Sequence, residues 1–316
     1  MAFVTPAVGG KTAAETVRAG LTRRDRDTAG LIMSGLLLAA TLFTLLILFT
    51  LLARLFGEAG PYLADRGTSF LTNTIGSDPD QVGVWPGLYG SALVGLAVIV
   101  VAIPLGVAAA LYLEEYASSK SRLNQFILVN IRNLAGVPAV IYGVLGLIIF
   151  VKWLQPMTSG KSVIAAGLTM SVLVLPIVVI TSMEAIRAVP QGLRDGGYGV
   201  GASRWEVTRD HVLPYAAPGI LTGTMLSLSR ALGEAAPLII VGAVTGLLPE
   251  TSLSGKFTAL PILIFSWSGK PQPPGSEHGF TEAAAATGVA LLLLVLFFNG
   301  AAIMLRNRFE RRRVGT

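Results

Sequence analysis

Cysteine is absent from the 316-residue chain, and charge is scarce. Without thiols there are no disulfides, no zinc–thiolate or iron–sulfur ligands and no cysteine nucleophile. Two histidines, His211 and His278, leave little for imidazole catalysis or a multi-histidine metal site. Charged residues make up 13% of the chain, about half the usual share of roughly 25%. Set against 53% hydrophobic residues, that is too little charge to cover a soluble globule and too much apolar character for a disordered chain. A G-x-x-x-x-G-K-[ST] phosphate loop is also missing, so ATP hydrolysis is not expected of this chain alone. What remains is a multi-span membrane protein. Its net charge of +6 then reflects basic loops facing the cytoplasm, with no nucleic-acid partner implied.

A helical span needs about 20 apolar residues. Six stretches qualify, at 31–52, 88–113, 126–151, 163–183, 217–248 and 283–305. The first is too long for a signal peptide and no small-residue cleavage site follows it, so it is read as an uncleaved helix. Sixteen of the 24 Lys and Arg lie in the N-terminal segment, the 2–3 loop, the 4–5 loop and the C-terminal tail, and six lie in the other loops. Both termini are therefore expected in the cytoplasm of a multi-pass plasma (inner) membrane protein. The expected organisation is a cytoplasmic segment 1–30, a first helix 31–56 and an extracytoplasmic loop 57–86. A permease core 87–305 with a cytoplasmic loop 184–214 follows, then a basic tail 306–316.

Spans two to five each carry a central proline, Pro104, Pro138, Pro176 and Pro237, which predicts a bent, packed core with spans one and six at its edge. Aromatic residues such as Trp85, Tyr89, Trp153 and Trp267 fit anchoring at the membrane interface. Arg132 and Arg230 are the two basic residues inside spans. Arg230 and Glu234, four apart, would share one helix face, either as a structural ion pair or as an anion contact in a solute path. Arg132, beside Asn133, either snorkels to the interface or contacts the anion from the cytoplasmic side. The 4–5 loop runs to about 30 residues, far beyond an ordinary link between helices. Leu193, Val200, Trp205 and Val207 are interleaved there with charges around a glycine turn, which predicts short amphipathic helices on a membrane surface or against a partner.

That loop resembles the cytoplasmic loop of ABC importer permeases, whose pattern is E-A-A-x3-G-x9-I-x-L-P. Asp195-Gly196-Gly197 stands at E-A-A, Gly201 at the glycine and Leu213-Pro214 at the closing pair. The departures are Asp for Glu, two glycines for alanines, and His211 for the apolar residue. Ser229-Arg230-Ala231-Leu232-Gly233-Glu234-Ala235-Ala236-Pro237-Leu238 resembles the R-A-x-G-E-T-A-P-L segment of phosphate importer permeases, and Asn133-Leu134-Ala135-Gly136-Val137-Pro138 their N-L-A-G-V-P segment. The A-P-L ending is closer to the A-type (PstA-like) permease than to its C-type partner. The likeness covers roughly residues 85–305.

The resemblance implies an all-α, six-span type I ABC importer permease fold, no cofactor and no metal. It implies a phosphate path through Arg230, Glu234, Arg132 and Asn133, and an ATPase-coupling loop using Arg194, Asp195, Gly201, Ala202, Ser203, Trp205, Leu213 and Pro214. The implied partners are a C-type (PstC-like) permease, an ATPase dimer, an extracytoplasmic phosphate-binding protein, inorganic phosphate and membrane lipid. The two glycines in place of alanines are expected to shorten the first loop helix. A permease for sulfate or molybdate, an ion-coupled secondary transporter and a membrane-embedded assembly factor remain the competing readings.

Overall fold

The computed structural model describes residues 28–118, 120–244 and 252–314, with side chains to residue 310. Most of the expected 1–30 segment and the last residues of expected span five therefore lie outside the described residues. Every regular element among the described residues is helical.

Helix α1 is Thr28–Arg66. The chain forms two compact units that divide within it, between Ala53 and Arg54. In the first unit α1 is apolar all round, with Leu31, Phe43 and Phe49 exposed, as suits a helix solvated by lipid. The second unit holds α2 (Ser69–Thr72), α3 (Trp85–Leu111, prolonged by a π-helical turn, Tyr112–Tyr116), α4 (Arg122–Ala135) and α5 (Ala139–Gly146, prolonged by a π-helical stretch, Leu147–Trp153). Then come α6 (Gln155–Thr158), α7 (Val163–Arg187), α8 (Gln191–Gly199) and α9 (Arg204–Val207, prolonged by a π-helical turn, Thr208–Val212). The unit closes with α10 (Leu213–Gly233), α11 (Ala236–Val241), α12 (Leu260–Ser268) and α13 (Phe280–Val314).

Among the described residues, four to five spans are evident by length and apolar composition. Helices α1, α3, α7 and α13 are long and apolar enough to cross a membrane, and α4 with α5 makes a fifth candidate only as a pair bent by 103°. Expected span five is divided into α10 and the short α11. The prolines behave in two ways. Pro104 and Pro176 sit inside unbroken helices, whereas Pro138 is the N-cap of α5 and Pro237 lies in the first turn of α11. The 57–86 segment is not a plain loop: α1 continues to Arg66, and Phe70, Val82 and Val84 are buried beyond it. Helix α12 went unseen because its nine residues are too few to span a membrane. It is a buried plug whose Leu260, Leu263 and Trp267 are wholly enclosed. Trp267 is thus a core residue rather than an interface anchor. Span six stays at the edge as expected, with Leu293 and Phe297 exposed, while one face of α13 packs along α10 and α12.

Helix α7 is the central post, with Met170, Val174 and Val178 fully buried. Small residues let its neighbours close on it. A Cβ on Gly106 of α3 would stand 2.5 Å from Val178, and one on Gly223 of α10 would stand 2.2 Å from the Thr181 hydroxyl. Ser162 caps α7, its Oγ accepting from the Ala165 amide at 3.3 Å.

At the end of α3 remote from the 188–212 hairpin, a charged clasp ties three segments. The His278 ring stands 2.9 Å from Asp80 Oδ1 through Nδ1 and 3.2 Å from Asp65 Oδ2 through Nε2, and Tyr62 packs edge-on against it. The Glu277 and His278 amides donate to Asp80 at 2.8 and 3.0 Å. The bond to Asp80 pushes the His278 pKa up, helped by Asp65 and the Glu282 charge. Burial works against the Asp80 carboxylate, yet the three bonds from Glu277 and His278 hold it below the usual range. Stability from the imidazolium is therefore full below its unfolded value, near 6.5, and is lost as pH rises through the raised folded value. Stability from Asp80 is lost only as pH falls through its lowered value. Purified protein should melt at a higher temperature at pH 5.5 than at pH 8.5, and His278→Gln should flatten that difference. An unchanged difference in the variant would place the dependence elsewhere.

Candidate functional site

Two helix breaks and one hairpin stand out. At the first break the chain stops α4 at Ala135 and restarts α5 at Ala139. Pro138 lacks an N–H and disfavours helix at the residue before it, so Val137 cannot continue α4. The Gly136 and Val137 amides close α4 on the carbonyls of Asn133 and Leu134 at 3.1 Å each. The Tyr142 hydroxyl reaches back and donates to the Leu134 carbonyl at 2.7 Å. At the second break α10 ends at Gly233, Glu234 is extended (φ −89, ψ 117), and α11 begins at Ala236.

The breaks are neighbours. Helix α5 packs on α11 so closely that a Cβ on Gly143 would stand 2.8 Å from the Pro237 Cα. All four residues expected in the path flank these breaks. Arg132 and Asn133 lie exposed in the last turn of α4, Arg230 is exposed in the last turn of α10, and Glu234 is half-buried in the second gap. One expectation fails here. Because α10 ends between them, Arg230 and Glu234 do not share a continuous helix face, and no ion pair joins them among the described residues. The break is complete two residues before α11 starts, so Pro237 does not merely bend a helix beside the pair. Asn299 is an addition that the apolar pattern of α13 hid. Its amide donates to the Ser229 hydroxyl at 3.0 Å, pinning α13 beside Arg230. The signal available was a single Asn in an otherwise apolar run, 283–305.

The expected amphipathic loop is a hairpin of α8 and α9. Gly201 takes φ +85 at the turn, where a side chain would be strained. The Gly201 and Ala202 amides donate to the carbonyls of Tyr198 and Gly197 at 3.0 and 3.1 Å. Ser203 caps α9 in a reciprocal box with Glu206, whose carboxylate accepts from the Ser203 amide and hydroxyl at 2.7 Å each. Those two bonds hold the Glu206 pKa down. Val200 is 85% exposed and Trp205 56% exposed. Asp195 is exposed and accepts from Gln191. Leu213 and Pro214 open α10, Leu213 half-buried in the hairpin core with Val207 and Val212, and Pro214 exposed.

Helix α8 runs nine residues with Gly196 and Gly197 inside it. Gly197 is buried, and a Cβ there would stand 2.8 Å from Val207 and 3.2 Å from the His211 ring. Two departures from the motif thus meet, the missing Cβ making room for the imidazole. Arg194 turns inward: its side chain is 13% exposed and bonds Glu115 at 2.8 Å and the carbonyls of Val189 and Ile186 at 2.7 and 2.9 Å. Glu115 drew no attention in the sequence because its partner lies 79 positions away.

Residues 102–314 match the family model described as binding-protein-dependent transport system inner membrane component. The phosphate transport system permease protein PstA 1 of Mycobacterium tuberculosis is 34% identical over 239 residues, covering 74% of each chain. The probable ABC transporter permease protein YqgH of Bacillus subtilis is 31% identical over 250 residues, 78% of each chain. The phosphate transport system permease protein PstC of Mesorhizobium japonicum is 28% identical over 303 residues, covering 87% of this chain and 88% of that one. A bacterial alginate ABC transporter solved with a periplasmic protein superposes with a TM-score of 0.61 at 16% identity, covering 88% of this chain and 96% of that one. An inward-facing methionine ABC transporter gives 0.52 at 18%, covering 72% and 94%. At these identities the structures show the shared fold. The chain belongs to the binding-protein-dependent transport system inner membrane components: it is an ABC importer permease subunit of the multi-pass inner membrane kind, with PstA and PstC phosphate permeases among its homologues.

Proposed function

We propose that this chain is the A-type half of a phosphate importer. It would form the path with a C-type permease above an ATPase dimer, and receive phosphate from an extracytoplasmic binding protein. The observation that carries the reading is the juxtaposed pair of helix breaks, each made by a segment resembling the phosphate permeases, with Arg230 at the lip of the second. A broken helix leaves backbone polar groups in the membrane that need protein or a water-filled path to satisfy them. A guanidinium presents a planar donor fork suited to phosphate oxygens. The exposed apolar face of the 188–212 hairpin supports contact with the ATPase, and the basic loop residues support cytoplasmic termini.

The test is ATP-dependent uptake of labelled phosphate by the reconstituted assembly. Losing a charge-assisted hydrogen bond costs about 1.5–3 kcal/mol, so Arg230→Ala should cut uptake about ten- to hundredfold while the subunits still co-purify. Unchanged uptake would remove Arg230 from the path. Excess sulfate or molybdate should compete weakly; strong competition would favour another oxyanion. Uptake by the lone chain without ATP would favour a secondary transporter.

A further inference from the structure

We infer that the buried Arg194–Glu115 ion pair is the joint through which the hairpin moves α3, making both positioning residues for transport. The inference rests on the reading of the hairpin as the ATPase contact. The hairpin is covalently continuous with α7 before it and α10 after it. Helix α3 has no covalent tie to the hairpin; its end is held by apolar packing, Ala110 sharing a buried core with Val189, Val207 and Val212, and the specific polar link is added to that packing. The link present is directional. Arg194 Nη2 and Nε both donate to Glu115 Oε1, at 2.8 and 3.2 Å, while Nη1 and Nη2 donate to the carbonyls of Val189 and Ile186. One guanidinium thereby locks α8, the end of α7 and the π-helical end of α3. The carboxylate is 5% exposed, so solvent screens the pair little.

Apolar packing alone would let these elements slide, since it is non-directional; a hydrogen-bonded guanidinium fork resists both shear and rotation. The neighbouring carboxylate is held too: Glu114 pairs with Arg187, whose side chain is 59% exposed and whose hold is correspondingly weaker. Arg204 adds a cation over the Tyr116 ring at 5.5 Å. At the other end of the lever, a Cβ on Gly95 of α3 would stand 3.1 Å from Leu232, in the last turn of α10 before the break. Gly95 and Glu115 are separated by about 30 Å of helix at roughly 1.5 Å per residue. A displacement applied at Glu115 therefore arrives beside Arg230 and Glu234.

The absence of cysteine permits a clean reporter. Leu96 lies on α3 next to Gly95 and is 50% exposed. In the full assembly, with thiols removed from the partner subunits, Leu96→Cys carrying an environment-sensitive probe should change signal between the nucleotide-free and the vanadate-trapped states. Glu115→Gln, nearly isosteric, should abolish that change and lower solute stimulation of the ATPase by at least about fivefold, the low end of typical allosteric coupling. The ATPase should still co-purify. Glu115→Asp, which keeps the carboxylate and leaves Arg194 with its bonds to the Val189 and Ile186 carbonyls, should retain much of both signals, which a mere loss of packing at this position would not allow. Glu114→Gln should leave both within about twofold, because its partner Arg187 is 59% exposed and such a pair is screened by solvent. The joint is overturned if Glu115→Gln keeps the full probe response, if the wild type shows none, or if Glu115→Gln releases the ATPase. The probe response needs no phosphate, so an assembly that imports some other solute would refute the function while leaving the joint measurable.

Discussion

Replacing Val200 and Trp205 together by aspartate will strip the ATPase from the purified assembly and leave the permease folded. Both side chains stand out from the hairpin, 85% and 56% exposed. The hairpin core is supplied by other residues, Val207, Val212 and Val189, against Ile186 and Ile220. Removing the two exposed groups therefore costs the fold little. A partner surface that covers them loses two apolar anchors and must desolvate two carboxylates. An anchor of this kind is worth about 2–4 kcal/mol, so the pair should weaken association by at least about a thousandfold. Co-purification in mild detergent reads the loss, and the melting temperature of the permease alone should stay within a few degrees. Retained ATPase at normal stoichiometry would mean that the docking surface lies elsewhere. A collapsed melting temperature would mean that the two residues serve the fold.

The second large effect concerns Gly143. An added methyl would stand 2.8 Å from the Pro237 Cα and 3.0 Å from Ile240. The first of these is backbone, which cannot swing aside as a side-chain tip can. Helices α5 and α11 must separate, and the two breaks separate with them. Overpacking of this kind costs typically about 1–3 kcal/mol, and here the strain falls on the proposed path itself. Gly143→Ala should lower the melting temperature and reduce uptake to near background. Gly233→Ala is the matched comparison. It lies in the segment containing Arg230 and Glu234, but a Cβ there meets open space. It should be well tolerated in expression and melting. Equal behaviour of the two variants would show that close approach of α5 and α11 is not required.

The hairpin was largely legible in the sequence because its signals are local. Its glycine turn, its serine cap and its flanking prolines act over a few residues. The breaks were half-legible. All four mid-span prolines look alike by depth, yet only two interrupt a helix. A proline alone removes one hydrogen bond that neighbouring helices can offset. A nearby glycine does not decide the outcome, since Gly60 directly precedes Pro61 inside the unbroken α1 and Gly106 follows Pro104 inside α3; whether the helix parts depends on the packing around it. Summed hydropathy is blind to this difference, which is why 217–248 resembled one span. The inward turn of Arg194 and the burial of α12 were hidden for another reason. Both depend on contacts between segments distant in the chain, and no local pattern encodes them.

The fit between Gly197 and His211 bears on how this subunit can be re-engineered. A chimera whose first hairpin helix carries an alanine at this position brings a methyl within 2.8 Å of Val207 and 3.2 Å of the His211 ring, unless the second half of the hairpin travels with it. Gly197→Ala alone sets that methyl against the retained Val207 and His211 side chains. The exchangeable module is thus the whole stretch from Gln191 to Val212, moved as one piece.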